Sequence, residues 1–385
     1  MSNLAEQSSS ANGDLGLHRS DGLAVVGEAQ AELRRLPVAR RPAVESIRIN
    51  YPLWRRPYGR SELAGMTGSR NERDKARRLY LLCWIPLALM GMLLAACVAV
   101  SDFSLRTDGL TLGAALMGPL LTAVGLGLIL GEREWGWRFG FAMLAVAQLG
   151  FLGSFAGPLS YIAASANLPL QDASFARLDR LLGLDWTAYY SFIMARPELL
   201  PYAKLSYAAI MISPFGVSLA LGLTGNFARL QHFVNATVLT VALVAAVSAI
   251  LPAIGTYAEL RLPAEVGDFR ATGYLVQLEV LPVLRAGGLR VLDLAHLSGI
   301  ITFPSFHAAA GILAIWAFWV VWWLRPAALI AYVSMLLATP LMDGHYFVDV
   351  IAGIGAAALA IGASKRLSPV AAATRTRTSF IGMSV

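Results

Sequence analysis

The chain has 385 residues, of which 57% are hydrophobic and only 14% charged, with a net charge of +7 and a mean hydropathy of +0.60. Soluble chains carry about 25% charged residues, so this composition excludes an ordinary soluble enzyme. The dominance of apolar residues, without a short repeat, also excludes a disordered or fibrous protein.

Residues 1–78 hold 14 Lys+Arg against nine Asp+Glu. They mix Ser, Gly, Pro and Arg without helical periodicity, which predicts a disordered basic cytoplasmic tail. Residues 1–30 lack the apolar core of a cleavable signal peptide, so the first spanning segment is expected to act as the insertion signal. The run from Arg73 to Arg78 precedes a long apolar stretch and reads as a cytoplasmic anchor. No folded nucleic-acid reader accompanies it, and no nucleic-acid partner is expected.

Apolar runs of near-spanning length follow at 79–100, 109–130, 138–159, 202–224, 231–252, 306–324, 327–342 and 346–363. They predict an all-α, polytopic membrane bundle of about eight transmembrane helices. The last two runs fall short of the ~20 residues a full span needs. They meet in a polar break around Pro340 to His345, tolerated in a membrane only where it lines a protein cavity. Cys83 and Cys97 share the first run, about 21 Å apart on one helix, so they cannot pair. Arg133, Arg138, Arg229, Arg325, Lys365 and Arg366 all fall on one set of connections, which places both termini in the cytoplasm. The connections 160–201 and 253–305 then face outward. Within the first of these, Phe175, Leu178, Leu181 and Leu182 share one helical face, and 185–194 is a second amphipathic stretch. Both read as interfacial helices, either capping the bundle or guiding a lipid to a site.

Ionisable residues near the membrane are functional suspects, and two runs carry them: Phe303 to Ala309, and Asp343 to Gly353. Pro304 suits a first helical turn, which puts Ser305 and the following amides at a helix N-terminus able to cradle an anion, with His307 beside it. A capping Ser with a hydrogen-bonded His explains this run equally well. His345 and Asp349 lie i, i+4 on one helical face. The Asp fixes the imidazole tautomer and raises its basicity, making His345 a candidate nucleophile or general base. Gly344 would allow close substrate approach, and Asp343 reads as a helix cap or as part of the polar mouth, the cap being favoured. The sixth and eighth helices start on the same side, so His307 and the His345–Asp349 pair can converge. One His can attack phosphorus while the other protonates the leaving oxygen, a reaction that requires neither metal nor cofactor.

Pro304-Ser-Phe-His307 and Gly344-His-Tyr-Phe-Val-Asp349 resemble the second and third signature motifs of the type 2 phosphatidic acid phosphatase (PAP2) superfamily. The wording is most similar to the inositol phosphorylceramide synthase branch and its bacterial relatives. The resemblance covers roughly residues 140–365. It implies two additional N-terminal helices over 79–137, a six-helix catalytic membrane domain over 138–365, and a cytoplasmic C-terminal tail over 366–385. It also implies that His345 forms a phosphohistidine, Asp349 orients it, His307 protonates the leaving group, and Ser305 holds phosphate oxygens. Two features depart from the phosphatase pattern. The Ser-Arg pair expected before the third-motif His is absent, Ala338-Thr-Pro340 standing there, and the first motif has no match. Arg285 and Arg290, with Arg261 and Arg270 further upstream, are the candidates to supply the missing phosphate-binding cations. The implied activity is lipid phosphotransfer at the extracytoplasmic face of a bacterial plasma membrane, from a phospholipid donor to a lipid or alcohol acceptor. Hydrolysis, with water as acceptor, is the close alternative. Transport is disfavoured because no inverted repeat is visible and the ionisable residues cluster at one face.

Overall fold

The computed structural model describes residues 70–366 apart from 107, 108 and 132. The tail expected over 1–78 therefore lies outside the described residues up to 69, and residues 70–78 are helical instead. The C-terminal tail beyond 366 also lies outside them.

All eight apolar runs form helices. In chain order the long elements are α1 (Arg70–Val100), α2 (Gly109–Leu130) and α3 (Glu134–Ala164). Two short helices follow, α4 (Asp172–Leu181) and α5 (Trp186–Met194), then α6 (Leu200–Tyr207), α7 (Ala209–Leu223) and α8 (Phe227–Ile250). The short helix α9 (Thr256–Leu260) and α10 (Thr272–Arg285) lead to α11 (Phe306–Phe318), α12 (Arg325–Asp343) and α13 (Phe347–Arg366). Five helical stretches are long and apolar enough to cross a membrane on their own: Arg73–Val100, Glu134–Ala164, Phe227–Ile250, Trp322–Asp343 and Phe347–Arg366. A sixth is the pair Pro197–Tyr207 and Ala209–Leu223, bent by 41°. The break falls at Ala208, whose carbonyl accepts from the Met211 amide at 3.0 Å, a three-residue spacing that tightens the chain between the two helices. Two shorter apolar helices, Leu116–Leu130 and Phe306–Phe318, complete the set. The result is an all-α membrane bundle, but with a different short member than expected. α12 and α13 have 19 and 20 residues, whereas the sixth run ends its helix at Phe318 after 13. Pro340 sits inside α12, and the break is confined to Gly344–Tyr346.

α8 is the central helix, packed against α1, α3, α11 and α13, while α11 lies between α12 and α13. Small residues make the last contact close. Ala308, Ala309, Leu313, Ala314 and Ala317 of α11 and Gly353, Ala356, Ala357 and Ala360 of α13 are buried, the pattern by which membrane helices gain packing without a hydrophobic driving force. A Cβ at Gly353 would collide with the Ser305 carbonyl oxygen, so only glycine admits this approach. The start of α11 is then tied directly to α13, because the Ser305 amide donates to the Asp349 carbonyl at 3.0 Å.

The bundle end where α11 and α13 begin and α12 finishes is covered by α4, α5, α9, α10 and two minimal sheets. In one, β1 (Ser104–Arg106) pairs in parallel with β4 (Val291–Asp293); in the other, β2 (Glu265–Val266) pairs antiparallel with β3 (Phe269–Arg270). α4 is amphipathic, and only part of its expected apolar face packs on the protein. The buried side carries Asp172, Phe175, Ala176 and Asp179, while Leu178, Leu181 and Leu182 are exposed. The two carboxylates turn inward because unpaired backbone amides wait there.

Candidate active site

The site is built on a loop of three residues. Gly344 ends α12 with φ +67°, a left-handed conformation that glycine adopts without strain. Its carbonyl accepts from the Thr256 amide at 2.8 Å and the Thr256 hydroxyl at 3.1 Å. A Cβ here would meet the Tyr274 ring at 2.8 Å. Gly344 thus serves the turn and the packing of Tyr274, and the expected close approach of substrate at this position is filled by an aromatic ring. The turn aims His345 back toward the start of α11.

Three side chains in this part of the chain, Trp186, Asp179 and Asp172, hold the loop from outside the two signature runs. The Trp186 indole N–H donates to the His345 carbonyl at 3.0 Å. Asp179 accepts from the Phe347 and Val348 amides at 2.9 and 2.8 Å. It caps α13 from another helix, at the end where a negative charge is favourable. The Tyr346 hydroxyl donates to Asp172 at 3.0 Å, and Asp172 also accepts from the Ile254 and Gly255 amides. Sequence reasoning did not single out Asp172 and Asp179. Their i, i+7 spacing, with Phe175 and Ala176 between, was the available signal.

The reactive groups converge as the spacing suggested. His345 is 1% exposed and Asp349 fully buried. His345 Nδ1 lies 3.2 Å from Asp349 Oδ2, and the same oxygen accepts from the Tyr346 amide at 2.9 Å. A proton on Nδ1 leaves Nε2 with a lone pair facing α11, where the Ser305 hydroxyl lies at 3.2 Å. Ser305 is the N-cap of α11, its Oγ accepting from the Ala308 amide. Pro304 therefore precedes the cap and does not occupy the first turn. His307 follows in that first turn, its ring stacked on Tyr207 at 4.3 Å between centroids.

Asp343 is the residue that sequence reasoning undervalued. It is the last residue of α12 rather than a cap, and its Oδ2 lies 3.0 Å from His345 Nε2 and 3.4 Å from His307 Nδ1. One carboxylate oxygen therefore bridges both histidines. A carboxylate at a helix C-terminus opposes the dipole, and that cost was the overlooked sign of a functional position. Burial alone would push the His345 imidazole down. Its hydrogen bonds to Asp343 and Asp349, and their charges, outweigh burial and raise it to about 9.

Arg285 and Arg290 are not brought to this cluster. Arg285 donates to the Leu168 carbonyl at 2.7 Å. Arg290 pairs with Asp102 at 2.8 Å and lies over Phe103, held at the rim by the connection between α1 and α2. Arg270 pairs with Glu265 at 3.5 Å, and Arg261 is exposed at the end of α9. Among the described residues, the contacts of His307, Asp343, His345 and Asp349 include no lysine or arginine. The expectation of replacement cations from the 253–305 connection is thus not met in this geometry.

His307 and Asp343 open into a cavity of about 930 Å³ between α3, α7, α8, the start of α10 and residues 294–301. Its walls are mostly aliphatic or glycine, among them Leu149, Leu152, Ile210, Met211, Val241 and Val244. The cavity runs along spanning helices, so an apolar chain can enter it while a polar head meets the histidines.

Residues 173–363, about half of the chain, match the family model described as the PAP2 superfamily, whose members are in general phosphatase-type enzymes acting on phosphoesters. That span begins in α4 and ends in α13, and it includes Ser305, His307, Asp343, His345 and Asp349 as well as Asp179. No curated protein and no solved structure matches the chain.

Proposed function

We propose that the protein is an integral-membrane lipid phosphotransferase that works through a phosphohistidine on His345. The observation that carries this reading is the buried His345, its Nδ1 on Asp349 and its Nε2 turned toward Ser305 and the second histidine. Asp349 keeps the proton on Nδ1, so Nε2 is the nitrogen that attacks phosphorus. The P–O bond to the leaving group breaks as the N–P bond forms, and His307 donates a proton to the departing oxygen. In the second half the acceptor hydroxyl loses its proton to His307 and takes the phosphoryl group from His345. The Ser305 hydroxyl and the first amides of α11 cradle the phosphoryl oxygens.

The apolar cavity beside His307 supports a lipid substrate, and the match to a phosphoester-acting superfamily supports the chemistry. The missing cations favour a phosphodiester headgroup, which carries one negative charge, over a dianionic monoester next to Asp343 and Asp349. We assign the reaction to the extracytoplasmic face, from the distribution of Lys and Arg in the short connections. Hydrolysis is the second reading, since the same phosphohistidine can pass to water.

The test is purified protein in detergent with a panel of phospholipids, with and without ceramide or diacylglycerol, following free phosphate and new phospholipid. A new lipid that disappears in His345→Ala is the expected result. Free phosphate that depends on His345 would make the protein a hydrolase, and turnover indifferent to His345→Ala would sink the mechanism.

A further inference from the structure

We propose that His307, Asp343 and His345 form a binding site for one transition-metal ion of the Zn2+ class, and that the ion blocks the enzyme when bound. One ring nitrogen from each of His307 and His345 and an Asp343 carboxylate oxygen all lie within 4.8 Å of one another. Around a tetrahedral Zn2+ with bonds of ~2.0–2.1 Å, ligand atoms stand roughly 3.3 Å apart. The two measured edges, 3.4 Å from Asp343 Oδ2 to His307 Nδ1 and 3.0 Å to His345 Nε2, are close to that figure. The third edge lies within 4.8 Å, and the cavity that reaches His307 and Asp343 gives the ion a way in.

The surroundings are those of a metal site. Metal-ligating histidines commonly donate their other ring N–H to a carboxylate, which orients the ring and strengthens it as a ligand. Asp349 does this for His345 from a fully buried position. Tyr207 performs a similar service for two ligands, its hydroxyl bonded to Asp343 and its ring stacked on His307. Two imidazoles and one carboxylate suit Zn2+, Cu2+ or Ni2+. Mg2+ demands an octahedral oxygen shell and is the negative control. The cluster carries the charge of Asp343, and no lysine or arginine is among its described contacts, so a cation that displaces the imidazole proton meets no fixed positive side chain there.

The blocking role rests on the functional reading above. An ion on His345 Nε2 takes the lone pair that would attack phosphorus, and an ion on His307 removes the leaving-group acid. Binding therefore competes with substrate and is reversed by a chelator.

The experiment uses the full chain in detergent, stripped with chelator and titrated with Co2+ alone. The expected result is one Co2+ per chain with the visible absorption of a tetrahedral ion, displaced by Zn2+ and not by Mg2+. His307→Ala and Asp343→Ala should lose it, and Asp349→Asn should weaken it by about 10–100-fold. X-ray absorption at the zinc edge of the wild type needs no variant, and should give a nitrogen and oxygen shell at about 2.0 Å with imidazole scattering. No retained ion, an all-oxygen shell, or binding unchanged in both ligand variants would overturn the site. Zn2+ that raises turnover would overturn the block. Tetrahedral binding without turnover under any condition upholds the site and removes the functional reading beneath it.

Discussion

Replacing Asp349 by Asn tests the centre of the mechanism with the least change in shape. The carboxylate is fully buried and accepts from His345 Nδ1 and the Tyr346 amide. Both bonds go to Oδ2, and Oδ1 has no partner, so Asn can keep both acceptors but only as neutral bonds, losing the charge assistance that separates about 1.5–3 from about 0.5–1.5 kcal/mol per bond. An imidazole held at about 9 instead of its ordinary 6.5 reflects about 3 kcal/mol favouring the protonated, doubly bonded ring, and Asp349 supplies one of the two carboxylates responsible. The Asp349→Asn variant therefore leaves His345 less basic and free to hold its proton on either nitrogen. Turnover should fall by about 10²–10⁴-fold. The KM should change little, because Asp349 touches no substrate. The acid limb of the pH–rate profile, where the His345 ring must give up its second proton before Nε2 can attack, should move toward lower pH. The assay is lipid phosphoester turnover in detergent, with acid-labile phosphohistidine trapped after rapid quench. A folded variant within about tenfold of wild type, a loss of ~1.4 kcal/mol or less, or one that loses affinity without rate, would refute the assignment.

His307→Gln should slow alkyl phosphoesters by about 10²–10⁴-fold but aryl phosphoesters far less, since a good leaving group needs no acid; equal losses on both would remove His307 from that role. Gly353→Ala would drive a methyl into the Ser305 carbonyl. It should lower the melting temperature, at a cost of about 1–3 kcal/mol, with a parallel fall in turnover, and unchanged melting would contradict the tight α11–α13 contact. Asp179→Ala leaves the Phe347 and Val348 amides without an acceptor, at a cost of about 1–3 kcal/mol, and should increase hydrogen exchange at the start of α13. The stabilisation tied to protonated His345 is fully present below its ordinary 6.5 and is lost as pH rises through about 9. A wild-type melting temperature that falls between these values, with a flatter profile in Asp349→Asn, is the expected pattern.

The long-range order of apolar residues was enough to place eight helices, because a bilayer demands continuous apolar stretches whose backbone is satisfied within the segment. Spacing was enough to pair His345 with Asp349, but not for the expected reason: His345 sits in the loop before α13, and Asp349 in the first turn reaches back to it and to the Tyr346 amide. The chain alone also brought the two signature runs to one end of the bundle, through the parity of helices between them. It could not show which carboxylates face inward. Asp172 and Asp179 looked like the polar side of an amphipathic helix, and only the packed structure shows the amides of α13 and residues 254–255 that draw them in. Asp343 looked like a cap because its distance from His307 is a property of how α11 and α12 pack, not of sequence separation. Arg285 and Arg290 looked available because pairing with Leu168 and Asp102 joins segments more than a hundred residues apart. Local periodicity determined the helices and the first histidine–aspartate pair; the contacts that decide charge and access at the site are long-range, and only the tertiary structure decided them.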